Sequence, residues 1–393
     1  MGSPILRPQS NDFGGLFYDC ESSCPAFSAC GRKITAPCGC AWKLSSGMRH
    51  ECSKCYIICR ERKEIGPENS QYTFSDYLAE GKFLEQVSIQ QERKLLFPLY
   101  VPYFTYFYQG KSLPIRWAAA SIDTLFKRRV TLKGVLRTQF GTEVDTRRYL
   151  HVNGDCNLWV ILNGKDSHLE SFWGMGEENR LQTLQQLNEI GFSLGTGATF
   201  SVSDLTHMNT PMPQSHNIAM LKRHHQIIHE LQKTGFYSTP NLYWNDEDRN
   251  EIERWANWLI ANPNIQSISR DFTSTKNLST VLIKMNELIQ LLKMVGRSFH
   301  VVIVGTGVTT APKVIELLAR NGHTGTIVTA SPIFDGGKSA IKYEIEHGAI
   351  VRVKDSDTAR SELILNNMKV FEQMLSATVM RANSNYKFLK NLY

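Results

Sequence analysis

Eight of the nine cysteines lie between positions 20 and 59: Cys20, Cys24, Cys30, Cys38, Cys40, Cys52, Cys55 and Cys59. Thiols crowded this densely in a chain with no visible secretory leader are expected to ligate metal rather than to pair as disulfides. Cys52 and Cys55 form C-x-x-C, which puts two thiolates on one turn within reach of one ion. Cys38 and Cys40 form C-x-C, with Gly39 between them freeing the backbone to bend around the metal. Pro25, Gly31 and Pro37 make the segment turn-rich, as expected where metal rather than an apolar core holds the chain. Two species fit: a pair of tetrahedral zinc ions, or a 4Fe–4S cluster on a subset of the thiolates. His50 is an alternative ligand, and the isolated Cys156 reads as a core thiol.

The second set of chemistry-bearing residues follows short apolar, β-rich runs: 113–121, 149–155, 192–204, 236–244, 265–272, 300–307, 325–332 and 349–353. Amphipathic stretches separate them, with Ile218, Leu221, Ile228 and Leu231, then Ile252, Trp255 and Leu259, then Leu288, Leu291 and Leu292, then Val314, Leu317 and Leu318 at helical spacing. Such alternation demands a parallel sheet with helical crossovers. The expected fold is α/β: a (β/α)8 TIM-like barrel over 111–393, a helical and aromatic connecting segment over 66–110, and a Cys-rich metal-binding module over 1–65. A Rossmann-like open sheet is the alternative.

A parallel barrel presents its active site at the carboxyl ends of its strands. On this reading those ends deliver Asn153 and Asp155, Asp204 with Thr206 and His207, Asn241, Trp244 and Asp246, Arg270 and Asp271, Gly305-Thr306-Gly307, and Ser331 with Asp335. Carboxylates at successive strand ends suit acid/base or nucleophilic work at a glycosidic carbon, so Asp204, Asp271 and Asp155 are the expected catalytic residues. Asn153, Asn241, Trp244, Arg270, Gly305, Thr306 and Gly307 are the expected substrate contacts. A strand-end Asp also caps the following helix, which is the structural alternative at each position. Backbone N–H groups of the Gly305–Gly307 turn, ahead of a helix that opens near Pro312, could hold a phosphate.

The net charge is +7, and much of the excess is local: Lys127, Arg128, Arg129, Lys133, Arg137, Arg147 and Arg148 face only Glu143 and Asp145 in that stretch. Such a strip neutralises phosphates or forms a solvated face. The segment 97–110 carries seven aromatics within twelve residues; it reads as a core-filling irregular strand ahead of a base-stacking platform. His225 and His229 stand four apart on an expected helix, without the glutamate of a metalloprotease motif, and read as core or surface histidines. No apolar run is long enough for a membrane span and MGSPILRPQS lacks a hydrophobic leader, so a cytoplasmic protein with no membrane partner is expected.

The stretch 200–246, with Asp204, Met212-Pro213 and Pro240 through Trp244, resembles an uncharacterised barrel-like family carried by phages, plasmids and mobile elements. The C-x-C and C-x-x-C elements, joined to a barrel, also resemble the tRNA-guanine transglycosylases, which implies a zinc site and catalytic aspartates working at a glycosidic bond. In this chain the cysteines precede the barrel. The leading expectation is a nucleic-acid-acting enzyme, a base glycosylase or transglycosylase, with DNA ahead of RNA as partner. The alternatives are an iron–sulfur metalloenzyme acting on a small molecule, and a non-catalytic zinc scaffold in a phage-defence or mobile-element system. Protein purified anaerobically is expected to carry either about two zinc ions per chain without colour, or iron and sulfide with a broad band on the order of 400 nm. Elemental analysis and the absorption spectrum decide, and a metal-free chain overturns the metal reading.

Overall fold

The computed structural model describes residues 80–91, 95–105, 112–128, 136–200, 202, 214–244, 249–275 and 277–390. The Cys-rich segment and its eight ligand candidates, and with them the choice of zinc or cluster, lie outside these residues. The chain divides into two compact units, one drawn from Met1–Val87, Phe200–Gln226 and Trp244–Arg254, the other from Ser88–Thr199, Ile227–Tyr243 and Trp255–Tyr393.

In the first unit, residues 80–87 were expected to be helical but form only a 3-10 turn, Leu84–Gln86. Its Glu85 receives two hydrogen bonds of 2.9 Å from Arg254. His225 Nδ1 lies 3.1 Å from the Lys82 carbonyl. Burial, helped by the neighbouring charges, holds the His225 pKa well below the usual value, so the neutral ring donates from Nδ1. It is a core histidine.

The second unit is built on a parallel eight-stranded sheet. In chain order the elements are β1 (Tyr100–Phe104), β2 (Trp117–Ser121), the single turn α1 (Ile122–Leu125), β3 (Phe126–Arg128), β4 (Leu136–Thr138), α2 (Glu143–Leu150), β5 (Asn157–Ile161), α3 (Asp166–Gly174), α4 (Glu177–Glu189), β6 (Phe192–Thr196), α5 (Gln214–Lys233), β7 (Tyr237–Thr239), α6 (Arg249–Ala261), β8 (Ser267–Asp271), α7 (Leu278–Val295), β9 (His300–Val304), α8 (Ala311–Arg320), β10 (Thr324–Thr329), α9 (Ser331–Gly337), β11 (Ile341–Glu346), β12 (Ala349–Lys354) and α10 (Arg360–Lys390). The strand order is β7-β6-β5-β2-β1-β10-β9-β8, so chain neighbours are sheet neighbours throughout, and all pairings within it are parallel. This is the sequential winding of a TIM-like barrel.

The membership differs from the sequence expectation at three places. The first strand comes from the aromatic segment, ahead of residue 111, and all five of its residues are buried. The run 149–155 is the end of α2 and a turn; 157–161 is the strand instead. The run 349–353 belongs to the antiparallel hairpin β11–β12, outside the barrel. The barrel interior is filled by Val101, Tyr103, Ala119, Trp159, Ile161, Leu194, Tyr237, Val302, Val304 and Val328. Phe97 plugs its base, stacked 4.7 Å over His300 and touching Trp117, Trp159 and Tyr237. Helix ends follow their signals: Asn277 caps α7 through Ser279 N–H, and Gly296 ends it in the left-handed region. No helix among the described residues is long and apolar enough to cross a membrane.

Closure depends on the seam between β7 and β8. There the ladder reduces to one parallel bridge, Asn241 with Ser269, carried by Leu242 N–H to the Ser269 carbonyl (2.7 Å) and Ser269 N–H to the Pro240 carbonyl (2.8 Å). Below it the carboxamide of Gln91, only 4% exposed, stands in for ladder bonds. Its Nε2 donates to the carbonyls of Ser238 (2.9 Å) and Ser267 (2.8 Å). Its Oε1 accepts from the N–H groups of Gln266 (2.8 Å) and Ser267 (2.9 Å). Buried backbone groups need partners, and one side chain supplies them on both edge strands. Gln91→Leu strands these groups and is expected to cost about 2–4 kcal/mol in urea unfolding. Gln91→Glu, which keeps the acceptor and loses the donor, is expected to be destabilised as well, and a loss under 1 kcal/mol for both, roughly the worth of one ordinary hydrogen bond, removes Gln91 from this role.

Candidate active site at the barrel mouth

The carboxyl ends of β1, β2, β5 and β8 bring polar side chains together. Asp271 ends β8 half-buried. Its Oδ1 accepts the Thr273 N–H at 2.7 Å, and its Oδ2 accepts the Asn163 carboxamide N–H at 2.8 Å. Asn163 follows β5, so that bond is a chord across the mouth, with β6 and β7 between its ends. Loss of water around Asp271 raises its pKa, and the bonds from Thr273 and Asn163 and the charge of Arg270 only partly oppose this.

Asp123 stands in α1, just past β2. Its Oδ1 is 2.7 Å from His168 Nδ1 in α3, and both side chains are largely buried. A Cβ on Gly164 would collide with Ile122 and Asp123, so a glycine is what lets the loop after β5 close on the loop after β2. The Ser121 hydroxyl accepts the Thr124 N–H at 3.2 Å, and the Thr124 hydroxyl donates to the Phe104 carbonyl at 2.8 Å, tying this turn to the end of β1. Tyr103, 5% exposed, belongs to the barrel core and lies within the field of both carboxyl groups. Burial first, then the negative charges of Asp271 and Asp123, push its phenol far above the usual range, against a hydrogen bond with Ser121. The phenol is therefore a permanent neutral donor.

Of the sequence-selected residues, Asp271, Asn241 and the Gly305–Gly307 turn lie at this end of the barrel. Asn241 donates to the Thr199 hydroxyl at 2.7 Å. Arg270 alternates to the opposite face of β8 from Asp271, is 2% exposed, and donates to the Leu242 carbonyl at 2.6 Å. Trp244 is 1% exposed. Asn153 and Asp155 enter β5 rather than leave it, which puts them at the other end of the barrel and exposed, away from Asp271. Asp204 and His207 lie outside the described residues.

The basic strip is not one helix face. Lys127 and Arg128 are in β3 and Arg137 is in β4, with Lys127 in register opposite Arg137; Arg129 and Lys133 lie outside the described residues. Arg147 is occupied: it pairs with Glu143 at 2.6 Å and donates to the carbonyls of Asn153 (3.0 Å) and Cys156 (2.7 Å). Arg148 is exposed beside Asp145. Cys156 is buried, and desolvation lifts its thiol to about 12, so it is no nucleophile.

No family model matches the chain, and the comparison with curated proteins finds no match. Function must therefore be read from the geometry. Sequence reading missed Tyr103, Asp123, Asn163 and His168. Asp123 had a signal, since it follows the β-rich run 113–121 by two residues. Asn163 had one too, at the end of 157–161. His168 and Tyr103 had none, because their partners are distant in sequence.

The Asp271 pKa has a consequence for stability. A carboxyl whose folded pKa is raised favours folding below its unfolded pKa, and that contribution is lost as pH rises through the folded value. At neutral pH the buried anion is a liability. Asp271→Asn is expected to melt higher than wild type at pH 7, with the gap closing in acid; thermal melts across that range test it, and a lower-melting variant at pH 7 overturns the assignment.

Proposed function

We propose that the protein is an enzyme acting by acid/base chemistry at the barrel mouth, and that its target is the glycosidic bond between a nucleic-acid base and its sugar. One observation carries this reading: two carboxyl groups in different environments flank the same buried phenol. Asp271 is held toward its protonated form by desolvation, which suits a general acid for the departing base. Asp123, in contact with His168, suits the carboxylate that stabilises the cationic sugar or orders water against it. Asn163 supplies a neutral donor that holds Asp271 in place, and Tyr103 is a neutral phenol within the field of both carboxyl groups.

The hairpin β3–β4, with Lys127, Arg128 and Arg137 among its residues, directly follows Asp123 in the β2-to-β5 connection, which starts at the mouth. That placement favours a ligand bearing phosphate over an uncharged sugar. Base release from DNA, RNA and mononucleotides, read by chromatography together with abasic-site cleavage, tests the reading. Asp271→Asn and Asp123→Asn are each expected to slow release by about a hundredfold or more. No release from any of these substrates, with no nucleic-acid binding at low salt, sinks it.

A further inference from the structure

We infer that the turn Gly305–Thr309, after β9, is an anion subsite of the same mouth, and that it takes the terminal phosphate of a mononucleotide. This rests on the glycosidic reading for its nucleoside portion, while the phosphate site stands on its own observations.

The turn leaves the sheet sharply. Gly305 N–H still donates to the Val328 carbonyl at 2.9 Å, and then Gly305 adopts φ +85°, where a side chain is strained. A Cβ there would lie 2.5 Å from the backbone of Thr273. Gly305 therefore seats the turn directly against the residue whose N–H binds Asp271.

The donors of helix α8 itself are used internally. Ala311 N–H donates to the Gly307 carbonyl (2.9 Å), Pro312 has no N–H, and Lys313 N–H donates to Thr310 (3.1 Å). Ahead of the helix, the consecutive N–H groups of Thr306, Gly307, Val308 and Thr309 make no hydrogen bond among the described residues. Thr306 is only 2% exposed, and its Oγ1 is buried with no partner among the described residues. A buried hydroxyl without a partner is costly, and successive free N–H groups form a concavity that binds anions. A group with several acceptor oxygens satisfies both at once. A terminal phosphate offers three, and the turn 305–309 holds no charged residue that would select a carboxylate partner instead.

Inorganic phosphate and nucleoside 5′-monophosphates are the probes, titrated by calorimetry into wild type, Thr306→Val and Thr306→Ser. The valine is nearly isosteric and lacks only the hydroxyl. Expected are saturable phosphate binding by wild type, loss of about tenfold or more in affinity for Thr306→Val at a ligand-free melting temperature no lower than wild type, and recovery by Thr306→Ser. A mononucleotide should bind more tightly than its nucleoside. Phosphate binding that Thr306→Val leaves intact overturns the subsite, as does preference for a nucleic-acid polymer over mononucleotides. Phosphate binding as expected without base release from any substrate overturns the glycosidic reading alone; base release without phosphate binding overturns the subsite alone.

Discussion

A parallel barrel works only if its first and last edges meet, and in this chain that meeting is narrow. β7 has three residues and touches β8 through one bridge. Every strand-end side chain is placed by a cylinder that this seam closes, so the four backbone partners of Gln91 matter beyond their own hydrogen bonds. A carboxamide is suited to the position because it is the only side-chain group with the donor and acceptor pattern of a peptide. The same seam explains the hydroxyls inside the barrel there: Thr196 and Ser269 meet at 2.6 Å, and Tyr237 meets Ser267 at 3.0 Å. Where a ladder is short, side chains satisfy what the backbone leaves open.

Above that level the barrel turns from apolar to polar within one residue step. Val302 and Val304, Trp159 and Ile161 fill the interior, whereas Ser121, Asn163 and Asp271 succeed them at the rim. Carboxylates at such a boundary lose water on the barrel side and keep part of it on the other. Loss of water raises the Asp271 pKa, and burial together with the charges of Asp271 and Asp123 raises that of Tyr103. The chord from Asn163 to Asp271 fixes the carboxyl's orientation without adding charge, so it positions the group while leaving its protonation free to change.

The winding of the barrel was legible in the sequence because strand and helix periods alternate with clear ends, and α5 to α8 contain the residues that the periodicity selected. What failed was local: 149–155 has the composition of a strand but forms a helix end and a turn, because Arg147 clamps the carbonyls of Asn153 and Cys156 and bends the chain there. That single misplacement moved Asp155 and Asn153 to the wrong end of the barrel, since direction along a strand decides which end a residue occupies. Asp271 was legible as a residue after a strand. Its partners were not, because Asn163 is 108 positions away and nothing short of the closed barrel brings them together.

The two halves of the proposed site bear on each other electrostatically. The turn at Gly305 abuts Thr273, and Thr273 N–H binds Asp271. An anion held in that turn places negative charge close to a carboxyl that is already short of water, and so disfavours its ionised form further. By linkage, the anion binds better when Asp271 is protonated. Substrate binding on this scheme sets the proton state that general-acid chemistry requires. Neutral N–H and hydroxyl donors in the turn add no positive charge to that of Arg270, which already favours the Asp271 anion, whereas a Lys or Arg in the turn would disarm the acid further.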